Sequence, residues 1–439
     1  MKQRNLASVV PIESSQTDTS IKAAFKQQRL QAWQPILTPH WVIATFFLFG
    51  AVFFGLGIVL VNFASQVVES KIKYALSEED RQENAYSSIE FTISETMTAP
   101  VYVYYELSGF YQNHRRYEKS RDHLQMRDPN QWMEGIESFV ANSGGTCAPH
   151  WTKLLNKPLY PCGLVADTQF TDKFWLQAQA AGSAIWTDAE EVVIDESPSR
   201  IAWSTDVDLR FKNLDPTIAN QQVVDMWILA AHPPIVCRPK FSTPQWENPS
   251  QVKFPFAKRD DGGDNTTLPI TRCTFNGFDG ATEDKCQWET CAPSEDEEGE
   301  LVCQDLDCTE ENGFQEVANP SGWGVENGHF ITWMRVAALP HFRKNYGVID
   351  QDLEAGTTMR LVVEDRFSQA AFDGKKTFIL STRTWAGGKN NFLGWGYIVV
   401  GATCLLFGIF FLARQCKNPR VLGDVTRLDW MEFSGTSMQ

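Results

Sequence analysis

The chain has 439 residues, 43% of them hydrophobic and 21% charged, enough for one large domain or two or three ordinary ones. Its net charge of -15, from 54 acidic against 39 basic residues, excludes nucleic acid as a main partner but leaves room for a local basic patch. Eight of the ten cysteines fall between Cys147 and Cys308 and none precedes Cys147, a clustering that suggests a disulfide framework in an oxidising compartment.

Residues 1–40 form a polar tail, followed by WVIATFFLFGAVFFGLGIVLVNFA, Trp41 to Ala64, which carries no charge. About 20 residues at roughly 1.5 Å rise cross a hydrocarbon core of about 30 Å, so this segment can span a membrane. A signal peptide fits it poorly, because the segment is too long for an h-region and no small-residue cleavage site follows. From Ser88 to Ser94, Ile89, Phe91 and Ile93 alternate with polar residues, which predicts a half-buried strand, and Val101 to Tyr105 predicts another. The basic-aromatic run FYQNHRRYEKSRD, Phe110 to Asp122, reads as a solvated helix with Tyr111 and Tyr117 packed inward. Its functional reading is an anion or partner contact through the planar guanidinium groups of Arg115 and Arg116. Asp128-Pro129 is a good N-cap and N1 pair; Trp132, Ile136 and Phe139 then share one helical face before Gly144-Gly145 stops it.

Alternation over Asp206 to Phe211 and β-rich composition over Val224 to Ala230 predict two more strands. Residues 258–311 are dense in Asp, Glu, Gly and Cys with almost no strand signal, and read as an inserted, cysteine-stapled acidic loop. Cys286-x4-Cys291 and Cys303-x4-Cys308 invite a zinc reading, but an oxidising compartment favours disulfides. The run DDGGDN does not match a calcium loop. Met359 to Glu364 and Thr377 to Thr384 complete the predicted strands. FLGWGYIVVGATCLLFGIFFLA, Phe392 to Ala413, is the second segment able to span, ahead of a tail at 414–439.

Two spans place both tails on one side and residues 65–391 on the other. The positive-inside count is close to a tie: Lys26, Arg29, Arg414, Lys417 and Arg420 oppose Lys71, Lys73, Arg383 and Lys389. The clustered cysteines and the sequon at Asn265 break it in favour of a lumenal or extracellular central region and cytosolic tails. The expected fold is an integral membrane protein in which two transmembrane helices flank a β-rich, disulfide-bonded ectodomain. The ectodomain is an antiparallel sandwich or jelly roll with few helices. Gly50, Ala51, Gly55 and Gly57 in the first span, and Gly394, Gly396, Gly401 and Gly408 in the second, let other helices approach closely. No nucleophile elbow, zinc-protease motif, phosphate loop or aspartyl-phosphate motif is present, and no cofactor or metal is expected.

Four stretches carry a resemblance: AFKQQRLQAWQPIL (Ala24 to Leu37), FYQNHRRYEKSRD (Phe110 to Asp122), PCGLVADTQFTDKF (Pro161 to Phe174), and FITWMRVAALPHFRKNYG (Phe330 to Gly347) continuing to GGKNNFLG (Gly387 to Gly394). In this order, with both spans correctly placed, the sequence resembles the accessory (beta) subunits of phospholipid flippases, the cell cycle control protein 50 family. The resemblance implies a non-catalytic subunit that pairs with a type-IV P-type ATPase. It would escort the ATPase out of the endoplasmic reticulum and support phospholipid translocation there or in the Golgi, plasma membrane or endosome. It also implies a Cys147–Cys162 disulfide, and leaves Cys237, Cys273, Cys286, Cys291, Cys303 and Cys308 without an assigned pairing. The motif residues Lys26, Gln28 and Arg29, with Asn390 and Asn391, are the expected contacts for the ATPase, and Arg115 and Arg116 the next candidates. The chain departs from the family in lacking cysteines soon after the first span and in its acidic insertion. A two-anchor receptor or adhesion module and an ectoenzyme are the alternatives; neither docking motifs in the tails nor a polar constellation supports them.

Overall fold

A computed structural model describes residues 38–74, 86–152, 157–179, 185–186, 188–215, 223–252, 270–275, 286–293, 301–305, 308, 310–368, 372 and 374–419. The chain divides into two compact units, Leu60–Asn391 and a second made of Met1–Val59 with Phe392–Gln439.

Helix α1 (Pro39–Ser65) leads into β1 (Glu69–Tyr74), β2 (Ser87–Thr92) and β3 (Val101–Ser108). Short helices follow: α2 (Arg115–Lys119), α3 (His123–Arg127), α4 (Pro129–Glu134), α5 (Ile136–Ala141) and α6 (Leu164–Asp167). Next come β4 (Lys173–Ala178), β5 (Glu190–Val192), α7 (Pro198–Ile201), α8 (Ser204–Leu209), α9 (Ile228–Ala231) and β6 (Ile235–Pro239). The chain continues through β7 (Ile270–Phe275), β8 (Cys286–Pro293), β9 (Leu301–Asp305), β10 (Phe314–Ala318) and α10 (Gly328–Met334). It ends in β11 (His341–Ile349), β12 (Thr358–Glu364), β13 (Lys375–Ser381) and α11 (Asn391–Lys417).

The ectodomain is an antiparallel sandwich. One sheet has the order β1-β13-β3-β11 and the other β2-β12-β4-β5, with every pair antiparallel. Alternation decides the faces: Val101, Val103, Tyr105 and Leu107 of β3 point inward with Phe378 and Leu380, against Phe174, Leu176, Met359, Leu361 and Val363 of the other sheet. The opposite side of that second sheet is also covered, because Trp175 and Val362 pack with Tyr86, Cys237, Phe241, Trp246 and Phe314.

A buried ion cluster ties the two sheets together. Lys376 of β13, fully buried, donates to Asp172 (2.8 Å), to Asp365 and to the Phe367 carbonyl (2.7 Å). Asp172 also accepts from the Tyr74 hydroxyl (2.9 Å) and from the amides of Arg366 and Phe367. Burial raises the Asp172 carboxyl above the usual range, and Lys376 opposes the rise.

Several expectations need correction. Asp206–Phe211 is not a strand but the helix α8 and its exit; Val207 and Phe211 are also i, i+4, and Asp206 is buried against Arg335 and Arg210. Val224–Ala230 is likewise a turn into α9, with Val224 and Ile228 buried at i, i+4. In the run after Phe110, Tyr117 is buried but Tyr111 is 64% exposed. The helix begun at Pro129 is capped by Asp128 and breaks at Gly135 into α4 and α5. The acidic insertion is not a loop: β7, β8 and β9 form a three-stranded antiparallel meander. Its C-terminal end belongs to the core, because Cys308 is bonded to Cys237 of β6 (Cα–Cα 5.4 Å) and packs with the Trp246 cluster. Asn265 lies outside the described residues, as do Lys26, Gln28 and Arg29; nothing is described of the side chains of Cys273, Cys286, Cys291 and Cys303.

The apolar helices α1 and α11 have 27 residues each and are long and apolar enough to span. At roughly 1.5 Å per residue each reaches about 40 Å, more than a hydrocarbon core of about 30 Å. Between Pro39–Val59 and Phe392–Lys417 the contact runs through glycines: a Cβ on Gly401 would lie 2.5 Å from the Phe54 amide nitrogen, and one on Gly50 or Gly57 would strike Leu405 or Ile398. Gly55 and Gly396 instead face open space.

Candidate functional site

The motif stretches fold onto one another. Ser120 and Gly163 meet so closely that a Cβ at Gly163, which takes φ +98°, would lie 2.1 Å from the Ser120 carbonyl oxygen. The Leu164 amide donates to the Ser120 hydroxyl (2.9 Å) and the Trp333 indole to the Val165 carbonyl (2.7 Å). Arg121 donates to the Met334 carbonyl (2.6 Å), the Ala337 amide to Gln112 (2.9 Å), and Tyr105 stacks on Phe170 at 3.8 Å. Cys147 and Cys162 are disulfide-bonded here (Cα–Cα 5.7 Å), both buried. Much of the motif sequence therefore builds a structural hub, from which Arg115 and Arg116 project on α2 as exposed residues.

A second assembly is open to solvent. On β3 the outward residues are Tyr102, Tyr104 and Glu106, beside Glu69, Lys71 and Lys73 of β1, Ser381 of β13 and Arg343 of β11. Beyond β13 the chain makes a tight turn in which Thr384 and Gly387 exchange backbone bonds (3.0 and 2.9 Å), Gly387 at φ +107°. Tyr104, Arg343, Ser381, Arg383, Gly387, Gly388, Lys389 and Asn390 line a cleft of about 450 Å³.

Its electrostatics divide in two. Arg343 pairs with Glu69 (2.7 Å), and Lys71 lies 3.6 Å from Glu106. Arg383 has no carboxylate partner among the described residues: it lies 3.8 Å over the Tyr102 ring and donates to the Tyr104 hydroxyl through Nε (2.8 Å). Lys389, also exposed, makes no ion pair with a described residue. Burial raises the Tyr104 phenol above its ordinary range, against the pull of Arg383, so the hydroxyl stays protonated. At the tip of the turn Trp385 is 77% exposed with its ring edge on Phe63 (5.0 Å).

The sequence-predicted contacts separate. Asn390 lines this cleft and Asn391 begins α11, both exposed, whereas Arg115 and Arg116 lie past the other end of β3, roughly 20 Å of strand away. Sequence reasoning missed Tyr102, Tyr104, Arg343 and Arg383 as a site. The signal available was the alternation of β3 and the basic residues flanking both spans.

The family model of the LEM3 (ligand-effect modulator 3) family / CDC50 family matches residues 60–421. The chain belongs to this family. Similar relatives are ALA-interacting subunit 3 of Arabidopsis thaliana, 29% identical over 94% of this chain and 90% of that one. Cell cycle control protein 50A of Mus musculus is 30% identical over 95% of each chain. Cell cycle control protein 50B of Homo sapiens is 30% identical over 89% of this chain and 91% of that one. In this CDC50-family chain the paired apolar helices are membrane spans and the disulfide-bonded sandwich is the ectodomain.

Proposed function

We propose that the chain is the non-catalytic accessory subunit of a type-IV P-type ATPase that moves phospholipids, and that it forms a heterodimer with that ATPase. The observation that carries this reading is the alignment of a relative named an interacting subunit over nearly the whole of both chains. ATP chemistry then resides in the partner. The ectodomain lies in the lumen or outside the cell with both tails cytosolic, a placement supported by two disulfides, which persist in oxidising compartments. Asn265, on that side, carries a glycan. The subunit accompanies the ATPase out of the endoplasmic reticulum, towards the Golgi, plasma membrane or endosome, and supports it through its phosphorylated states.

Contacts are assigned to both membrane faces. Lys26, Gln28 and Arg29 engage the ATPase or anionic headgroups on the cytosolic side, and Asn390 and Asn391 engage the ATPase on the other. The helix faces at Gly55 and Gly396, where a Cβ meets nothing, leave room for the partner's helices. Changing Lys26, Gln28, Arg29, Asn390 and Asn391 together to alanine is expected to lower pull-down of the ATPase while ectodomain protease resistance is kept. Unchanged yield with an intact fold moves the contact to Arg115 and Arg116 on α2.

A further inference from the structure

The chain is acidic overall, at net charge -15, yet the end of the sandwich from which it enters both spans is basic. Lys71, Arg343, Arg383 and Lys389 reach it, with Glu69 and Glu106 on the same sheet face, while Lys73, level with Thr377 and Glu106, stands nearer the other end of β3. Those carboxylates pair with Arg343 and Lys71, which leaves Arg383 and Lys389 as the cations lining the cleft that make no ion pair among the described residues. The Arg383 guanidinium is held in place by the Tyr102 face and the Tyr104 hydroxyl rather than by an acid, which keeps its charge uncompensated and its orientation fixed.

Covalent continuity limits where this cleft can be. Lys389 is two residues from Asn391, the start of the span, and consecutive Cα atoms are about 3.8 Å apart. Trp385, with Phe63 against it, supplies the amphipathic aromatic ring characteristic of a membrane–water interface.

We propose that Arg383 and Lys389, backed by Tyr102, Tyr104 and the Gly387-Gly388 turn, form a headgroup site for anionic phospholipids of the ectodomain-side leaflet. Trp385 sits among the neighbouring lipids. Phosphate diesters match the fork of Arg383 and the point charge of Lys389, and among the described residues the carboxylates on this sheet face, Glu69 and Glu106, are already paired with cations rather than open to a choline or ethanolamine. The site requires only the membrane placement of the chain and is independent of any ATPase.

The test uses the full-length chain alone in phosphatidylcholine nanodiscs with about one-fifth phosphatidylserine, one or the other lipid carrying bromine to quench tryptophan. The Trp385 signal is taken as the difference between the wild type and Trp385→Phe. Brominated phosphatidylserine is expected to quench it at a lower mole fraction than brominated phosphatidylcholine. Arg383→Gln and Lys389→Gln should each reduce that preference by about fivefold, and Arg383→Lys should keep most of it. Lys389→Gln removes an exposed side chain, so its result stands even if Arg383→Gln disturbs the turn. Equal quenching by both lipids in the wild type overturns the proposal and leaves the cleft to a protein partner. Loss of the preference on adding inorganic phosphate at constant ionic strength also overturns it, in favour of a small-anion site.

Discussion

Replacing Lys376 with methionine removes a cation that bridges the two sheets and leaves Asp172 and Asp365 buried without it. Methionine fills a similar volume, so the effect is electrostatic rather than a cavity. Removing one partner of a buried pair costs about 3–5 kcal/mol, a large share of the roughly 5–15 kcal/mol that holds a typical domain folded. For a unit the size of this ectodomain that is about 4–7 °C in unfolding temperature. The sign with pH is specific. Burial already raises the Asp172 carboxyl; without Lys376 the rise is unopposed, so the folded variant takes up protons more readily than its unfolded chain. The deficit is therefore largest above the raised carboxyl range, shrinks as pH falls through it, and is smallest near the unfolded carboxylate value of about 4. Adding Asp172→Asn and Asp365→Asn to the variant should recover much of the loss at neutral pH. Tryptophan-monitored unfolding of the full-length protein in detergent from pH 7 to pH 4 measures this. A loss under about 1 kcal/mol, or one that does not change with pH, would refute the reasoning.

His232 is half-buried and held at about 3, by desolvation first and then by the nearby His329 and Lys173. Because the unfolded chain binds that proton from about pH 6.5 downward, stability should fall by about 2 kcal/mol between pH 6.5 and 5, and His232→Gln, able to keep a bond to Gln169, should flatten the slope. Gly401→Val should weaken the packing of α1 on α11 and lower the unfolding temperature, since the added Cβ would overlap the Phe54 backbone. Gly55→Val and Gly396→Val should leave the isolated subunit unchanged but reduce ATPase pull-down, and equal effects at all three positions would count against the assignment. Replacing residues 258–306 with a short linker while keeping Cys308 should leave cooperative unfolding in place. The Cys237–Cys308 bond is then retained and long surface insertions cost little closure entropy; loss of cooperativity would make the meander part of the core.

The spans and the strands with one polar face were legible, because Ile89, Phe91 and Ile93 or Val101, Val103 and Tyr105 alternate cleanly with their neighbours. Strand β4 was not: Phe174, Trp175, Leu176 and Gln177 are all buried, so no period of two survives. Strand β11 was hidden by Lys344, an inward lysine whose Nζ donates to the carbonyls of Thr332, Trp333 and Arg335 at the end of α10; it reads as polar surface in the sequence. The basic site was visible only indirectly. Lys71, Lys73, Arg383 and Lys389 bring the positive-inside count close to a tie, and the same residues lie around the cleft and its sheet face. What the sequence could not supply was Tyr102 of β3 beneath Arg383 of the turn after β13, two residues 281 apart by number.

The central claim concerns a partner, and affinity purification of the tagged full-length chain from membranes of its own cells tests it most directly. The account predicts a large P-type ATPase recovered in one-to-one ratio with the chain. It also predicts that depleting the chain strands that ATPase in the endoplasmic reticulum. Recovery of the folded, disulfide-bonded chain with no such ATPase, and normal ATPase traffic in its absence, would contradict the account.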